Sequence, residues 1–319
     1  MHSTNRFPNM AAVTGSRYAN EQLQYKRQHM TPVSRKFEKS ARAVVLSGDC
    51  LETLRTVPEE TIDLVVTSPP YNIGKDYEEI LPLADYLSFH EKVIEECVRV
   101  LKPSGNLCWQ VGFSKQAGEM IPLDAVFYPI LKRQGLFFRN RIIWTFGHGA
   151  HAQKRFSGRH ETVLWFGKSP DSYFDLDRAR VPQKYPGKRH YKGPKKGQYS
   201  GHPLGKNPGD VWDIPNVKAH HPEKTAHQCQ FPIGLVQRLV MSLSPADGWV
   251  LDPFGGSGSA ACGAIIEGRR AVTCEVLEEY VRITESRLKD ALDGSLRFRD
   301  IDVPIQVPNP FSDVGRREA

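Results

Sequence analysis

No run of about eighteen apolar residues occurs in this sequence, so no segment reads as a membrane-spanning helix. The opening residues, MHSTNRFPNM, lack the apolar stretch of a secretory signal, and a cytoplasmic protein is expected. Cysteine is scarce. The six stand at 50, 97, 108, 229, 262 and 274 with no Cys-x-x-Cys pair, which argues against a zinc or disulfide framework and for reduced thiols. The scattered cysteines and histidines offer no ligand set, so no metal is expected. There is no internal repeat.

What remains is the composition of a soluble globular chain. Of 319 residues, 39% are hydrophobic and 25% charged, enough for a sizeable core. The net charge of +7 is unevenly placed. Residues 1–40 carry seven Lys/Arg against two Asp/Glu, and residues 178–227 carry eleven against three, leaving an acidic body. Two basic segments on an acidic body suggest a polyanionic partner met by those segments.

Apolar patterning organises the rest. Residues 1–40 are polar and without sustained period, and read as a basic, disordered arm. A short strand, Ala43 to Ser47, closes on Gly48-Asp49, and Leu51 to Leu54 open a helix. Ile62 to Val66 form the next strand, and residues 84–101 show helical spacing. Strands follow at Asn106–Val111, Arg141–Phe146 and Glu161–Phe166, and the alternation implies a mainly parallel, doubly wound sheet. Residues 171–227, rich in Pro, Gly, Lys, His and Tyr, break the pattern and read as an insertion without a core of its own. The α/β pattern resumes at 228–295, and 296–319 read as a tail.

Two stretches carry chemistry. After Ile62–Val66 the chain reads Thr67-Ser68-Pro69-Pro70-Tyr71-Asn72-Ile73-Gly74. Two prolines have no N–H to continue a ladder, and they hold a serine and a tyrosine stiffly at a strand's carboxyl end, where open α/β sheets bind ligands. The second stretch is the strand Gly248–Leu251, then Asp252-Pro253-Phe254-Gly255-Gly256-Ser257-Gly258, a helix, and the strand Arg270–Glu275. This is a βαβ nucleotide-binding unit: glycines admit the backbone to a ligand, and Glu275 accepts from ribose hydroxyls. Gly256, Gly258 and Ala261 also satisfy G-x-G-x-x-A, so a dinucleotide dehydrogenase stays open on this motif alone.

Taken together, these residues resemble the DNA amino-methyltransferases of the permuted beta group. Ser68-Pro69-Pro70-Tyr71 matches that family's catalytic motif, and Phe254 with Gly256 and Gly258 matches its cofactor turn. The order also fits: catalytic motif, basic stretch, Lys224–Pro232, cofactor turn. Arg159-His160-Glu161 followed by Leu164-Trp165-Phe166 fits as well. The resemblance covers residues 43 to 290. It implies a Rossmann-like, circularly permuted α/β fold with a catalytic half at 41–170 and a cofactor half at 228–295. It implies S-adenosyl-L-methionine as cofactor, held by Asp49, Cys50, Phe231, Asp252, Phe254, Gly256, Gly258 and Glu275. The insertion becomes a target-recognition region, with Lys184, Lys188, Arg189, Lys192, Lys195 and Lys196 on double-stranded DNA. It further allows a homodimer and a cognate restriction endonuclease acting on the same site.

The implied chemistry suits the residue types. An aromatic amine is a poor nucleophile because its lone pair is delocalised into the ring. Ser68 and the Pro69 carbonyl would accept its two N–H bonds and localise that lone pair, while Tyr71 stacks on a base flipped from the duplex. Methylation at ring carbon 5 needs a Pro-Cys nucleophile, and no cysteine here follows a proline. Serine in the motif is associated with cytosine N4, with adenine N6 the alternative. RNA or protein-glutamine methylation, and a DNA-binding regulator on an inactive scaffold, are the rival readings.

Overall fold

The computed structural model describes residues 31–147, 149 and 151–301. The chain builds one large sheet from strands β1 (Thr31–Ser34), β2 (Ala41–Ser47), β3 (Ile62–Thr67), β4 (Leu101–Val111), β7 (Phe137–Thr145), β8 (His160–Gly167), β9 (Val211–Asp213), β10 (Trp249–Asp252) and β11 (Arg270–Glu275). A separate hairpin pairs β5 (Phe113–Gln116) with β6 (Glu119–Pro122). The helices are α1 (Cys50–Leu54), α2 (Leu83–Val100), α3 (Leu123–Arg133), α4 (Leu176–Ala179), α5 (Ile233–Leu243), α6 (Ser259–Ile266) and α7 (Glu278–Asp293).

Strand order across the sheet is β1-β2-β11-β10-β3-β4-β8-β7-β9. All pairings from β1 to β4 are parallel, whereas β8 runs antiparallel to both β4 and β7. The mainly parallel, doubly wound expectation therefore holds for six strands, and one antiparallel strand turns the far end. From β10 the chain proceeds outward to β11, and from β3 it proceeds the other way to β4. The junction of β10 and β3 is the sheet's switch point, where the strand ends leave a crevice.

Burial explains why these strands read as unbroken apolar runs. Both faces of the sheet are covered, and all six residues of β3 are buried. Alternate side chains feed two cores. Val44, Leu46, Val65, Leu107 and Trp109 pack on one face beside residues of α1, α2 and α3. Val45, Leu64, Val66 and Cys108 pack on the other beside α5, α6 and α7. Helix α6 is buried all round, because the small residues of Ser259-Ala260-Ala261-Cys262-Gly263 let it sit deep between the sheet and α5.

Three expectations need correction. Residues 31–34 are not part of a disordered arm: they form the edge strand β1, parallel to β2, and residues 1–30 lie outside the described residues. The insertion is not wholly coreless, since β9 extends the sheet alongside β7 and buries Trp212, with Ile214 just beyond. Leu296, Phe298 and Ile301 pack against the second core, so the tail begins later than 296, and residues 302–319 lie outside the described residues. Among the described residues no helix is long and apolar enough to cross a membrane.

Packing of α6 against α5 can be tested at Gly263. A methyl group there would sit 2.6 Å from Val236 Cγ1. Ala normally gains about 1 kcal/mol over Gly inside a helix, but overpacking a filled core costs about 1–3 kcal/mol. Gly263→Ala is expected to lower stability on balance, read from the midpoint of a denaturant melt.

Candidate functional site

The crevice at the switch point is a cavity of about 700 Å³. That volume lies within the range of small-molecule sites, about 300–1,000 Å³. The Ser68-Pro69-Pro70-Tyr71 corner lines one side of it; Phe254, Gly256 and Glu275 line another. Asp49, Cys50 and Phe231 also reach it. The two stretches singled out in the sequence, far apart along the chain, thus face one space.

The corner is held from behind. Tyr86 donates to the Pro70 carbonyl at 2.7 Å, which leaves the Pro69 carbonyl as the corner's candidate acceptor. Beyond Tyr71 the chain turns sharply at Asn72, which has a positive φ of 59° and is buried. Its side chain exchanges two hydrogen bonds with the Leu81 backbone, and Glu78 accepts from the backbone N–H groups of Asn72 and Ile73.

The Tyr71 ring, which lines the cavity, is fixed in place through its hydroxyl. Its hydroxyl donates to Glu161 Oε2 at 3.0 Å, and the Gln110 amide donates to the same oxygen at 2.5 Å. Ser68 Oγ lies 3.3 Å from the Tyr71 hydroxyl. Burial pushes the Glu161 carboxyl above its ordinary range, against the two donors that stabilise its charge. Burial first, then the Glu161 charge, pushes the Tyr71 phenol well up, so it stays protonated. Gly112 makes this packing possible: a methyl group there would meet Tyr71 Cε2 at 3.1 Å and Glu161 Cδ at 3.3 Å. The sequence alone assigns Glu161 no role. Its signals there are its place in Arg159-His160-Glu161, which fits the family resemblance, and a carboxylate at the second position of β8, just ahead of that strand's apolar run.

On the cofactor side, Gly256 has a φ of 51° and donates its N–H to Glu275 Oε2 at 2.8 Å. Leu277 N–H donates to the other carboxylate oxygen at 2.9 Å. Two backbone donors therefore fix Glu275 at the cavity wall, and each oxygen keeps a lone pair for a ligand hydroxyl. A methyl group on Gly256 would sit 2.9 Å from His227 Nε2, so only glycine leaves this cradle open. His227 is stacked on Tyr77 with centroids 5.1 Å apart and meets Tyr280 edge-on at 4.6 Å. Burial lowers the His227 imidazole to about 4, so it is neutral at physiological pH. Asp49 caps α1, accepting from the Leu51 and Glu52 N–H groups. The Cys50 thiol is pushed up to about 12 by burial and by the Asp49 charge, which makes it an apolar wall and not a nucleophile.

Two predicted cofactor residues stand elsewhere. Asp252 is buried away from the cavity, where its Oδ1 accepts from Thr67 Oγ1 at 2.6 Å and from the Phe254 N–H at 3.0 Å. Gly258 also stands off the cavity wall, packed under Thr284, whose Cγ2 would lie 2.7 Å from an added methyl group. The basic cluster lies apart on the insertion. Lys188 to Ser200 form a small hairpin, tied by the bridge of Arg189 to Tyr199 and by mutual bonds of His190 with Gln198 and Gly197. Lys184, Lys188, Lys192, Lys195 and Lys196 are exposed. Arg189 is engaged internally, stacked over Tyr199 at 4.1 Å and donating to the Gly197 carbonyl at 2.6 Å.

A nucleoside-sized crevice with a ribose-seeking acid on one wall and an amine-accepting corner on the other is the arrangement of S-adenosylmethionine-dependent methyltransferases. The comparisons agree. The DNA methylase family model of N6 and N4 enzymes matches residues 62–286, and the chain belongs to that family. It is 47% identical to the type II methyltransferase M.BglII of Bacillus subtilis over 266 residues, covering 83% of this chain and 74% of that one. It is 30% identical over 249 residues to the DNA adenine methyltransferase YhdJ of Escherichia coli K12, covering 76% and 82%. Among solved structures it is similar to the cytosine-N4-specific PvuII DNA methyltransferase, with a TM-score of 0.62 at 20% identity, covering 86% and 99%. It is also similar to the Thermus thermophilus protein TTHA0409 complexed with S-adenosyl-L-methionine, with a TM-score of 0.56 at 26% identity, covering 82% and 100%. The chain is a DNA methyltransferase that uses S-adenosyl-L-methionine, and the dehydrogenase alternative is set aside.

Cofactor binding should therefore depend on the cradle. Glu275→Ala removes a charge-assisted acceptor worth about 1.5–3 kcal/mol, and Gly256→Val fills the space beside His227. Calorimetry should show affinity for S-adenosyl-L-methionine lowered by roughly tenfold or more in each. The melting temperature should stay near wild type in Glu275→Ala and fall in Gly256→Val, whose branched side chain is strained at a φ of 51°. Unchanged affinity in both would place the cofactor elsewhere.

Proposed function

We propose that this enzyme methylates the exocyclic N4 amine of a cytosine flipped out of double-stranded DNA at a specific sequence. The observation that carries the reading is the joint opening of the Ser68–Tyr71 corner and the Gly256–Glu275 cradle into one cavity. Bound in the cradle, S-adenosyl-L-methionine supplies an electrophilic methyl group on a sulfonium.

The hydrogen-bond direction around Tyr71 supports the role of Ser68. Tyr71 gives its only proton to Glu161, so its oxygen is left to accept from the Ser68 hydroxyl. Ser68 Oγ then keeps its own lone pairs for a substrate N–H. The Pro69 carbonyl accepts the second N–H, and the amine's lone pair becomes localised. Glu161 and Gln110 act through Tyr71 as positioning residues. The work is chiefly orientation of two reactants in a shaped, partly dry site. A base must leave the duplex to reach this corner, at a cost of a few kcal/mol that stacking on Tyr71 offsets.

A neutral serine at position 68, where the family's adenine enzymes mostly carry aspartate, supports cytosine as the target. The 30% identity to an enzyme named for adenine keeps N6 of adenine as the second reading. The lysine-rich hairpin at 188–200 supports the insertion as the part that meets DNA phosphates and base edges. The type II names among the relatives support a cognate restriction endonuclease acting on the same site.

Digestion of methylated DNA to nucleosides and mass spectrometry should yield N4-methylcytosine. N6-methyladenine would overturn the base assignment alone. Ser68→Ala should lower turnover by roughly tenfold or more while leaving cofactor affinity near wild type, since the lost contact matters when the lone pair localises.

A further inference from the structure

Between β7 and β8 the chain makes an excursion that the site above does not use. It departs from Phe146 and returns to Glu161, and both residues line the cavity. Its base is closed by the Phe146 N–H donating to the Arg159 carbonyl at 3.1 Å. Toward its tip the sequence reads His151-Ala152-Gln153-Lys154-Arg155-Phe156-Ser157, and Phe156 is 99% exposed, more than any other large apolar residue among those described.

Single exposed apolar residues are common and usually need no explanation. This one differs in three respects. The ring is held out, because the Ala152 N–H donates to Ser157 Oγ at 3.0 Å and Arg155 donates to the Phe156 carbonyl at 3.0 Å, closing a turn that presents the side chain outward. It stands beside two exposed cations, Lys154 and Arg155, immediately before it, so a polyanion is the surface it would meet. The excursion is also rooted at the mouth of the cavity that must receive a base. Phe156 is three residues from Arg159 at the base, a span of up to roughly 10 Å at full extension, which with the length of the ring is enough for the roughly 8.5 Å depth of a DNA groove.

We propose that Phe156 is a wedge that enters the base stack when the target base leaves it, with Lys154 and Arg155 on the flanking phosphates. Extrusion leaves a gap in the duplex whose neighbours have lost a stacking partner. An inserted phenyl ring restores that stacking and blocks the base's return. The lysine-rich hairpin and this excursion would then have separate tasks, one reading sequence and the other opening the helix. The inference rests on the base-flipping reading above.

The test uses a short duplex containing the recognition site, found by sequencing DNA that the enzyme has methylated. Its target position carries a base that fluoresces when unstacked: pyrrolocytosine for cytosine, 2-aminopurine for adenine. With S-adenosylhomocysteine present, the wild type should raise the fluorescence and Phe156→Ala should not. Phe156→Ala should also lose roughly tenfold or more of kcat/KM on the intact duplex, and Phe156→Trp should recover most of it. On a duplex whose target faces an abasic site, already unpaired, Phe156→Ala should approach the wild-type rate. Wild-type fluorescence and kcat/KM in Phe156→Ala would overturn the wedge. An equal loss on both duplexes would also overturn it, making Phe156 a plain binding contact. No fluorescence rise with the wild type would instead overturn base flipping itself.

Discussion

One buried hydrogen bond holds the two functional stretches in register. Thr67 ends β3 and Asp252 ends β10, and their side chains meet at 2.6 Å although 185 residues separate them in the chain. Ser68 follows the first and Pro253 the second, so the amine corner and the cofactor turn both start from this contact. Burial raises the Asp252 carboxyl to about 7, against the Thr67 and Phe254 donors that favour its charge, and its other oxygen has no partner. The opposite end of the same strand pair is tied too: Asp63 accepts from the Trp249 N–H at 2.8 Å and pairs with Lys102. Two parallel strands tied at both ends cannot slip, and a slip of one residue would turn Ser68 away from the cavity.

This contact also explains why the chain order is of little consequence to the chemistry. The cofactor strands β10 and β11 come last in sequence yet insert between β2 and β3. Sheet pairing and the two cores fix where each strand end arrives, and the crevice arises wherever the strand direction of travel reverses. The antiparallel strand β8 adds the third element: it runs beside β4 with Val163 opposite Gln110, which brings Glu161, two residues earlier, within reach of the Gln110 amide that donates to it behind Tyr71.

Much of this was legible in the sequence because the decisive signals are local. Pro69-Pro70 and the glycines of 255–258 declare a strand end and a close backbone approach without reference to anything distant. Charge marked the exposed lysines of the insertion. What escaped depends on contacts across the chain. Asp252 reads as a cofactor ligand beside its glycines, but the side chain at the end of β10 points to Thr67. Gly258 reads as part of the cradle, but it serves to admit Thr284. Trp212 lies in a stretch of Pro, Gly and Lys, and only its pairing with β7 makes it part of the core. Strand β1 follows a polar stretch and was invisible until β2 offered an edge.

The most direct measurement of the claim that one contact aligns both stretches is single-turnover methyl transfer by Thr67→Val, alongside its affinity for S-adenosyl-L-methionine. Valine keeps the shape and removes the hydroxyl. Displacing the corner by about 1 Å should slow transfer by up to roughly 100-fold, while cofactor affinity, set by Glu275 and Gly256, changes far less. Transfer at the wild-type rate by a stably folded Thr67→Val enzyme would contradict the account.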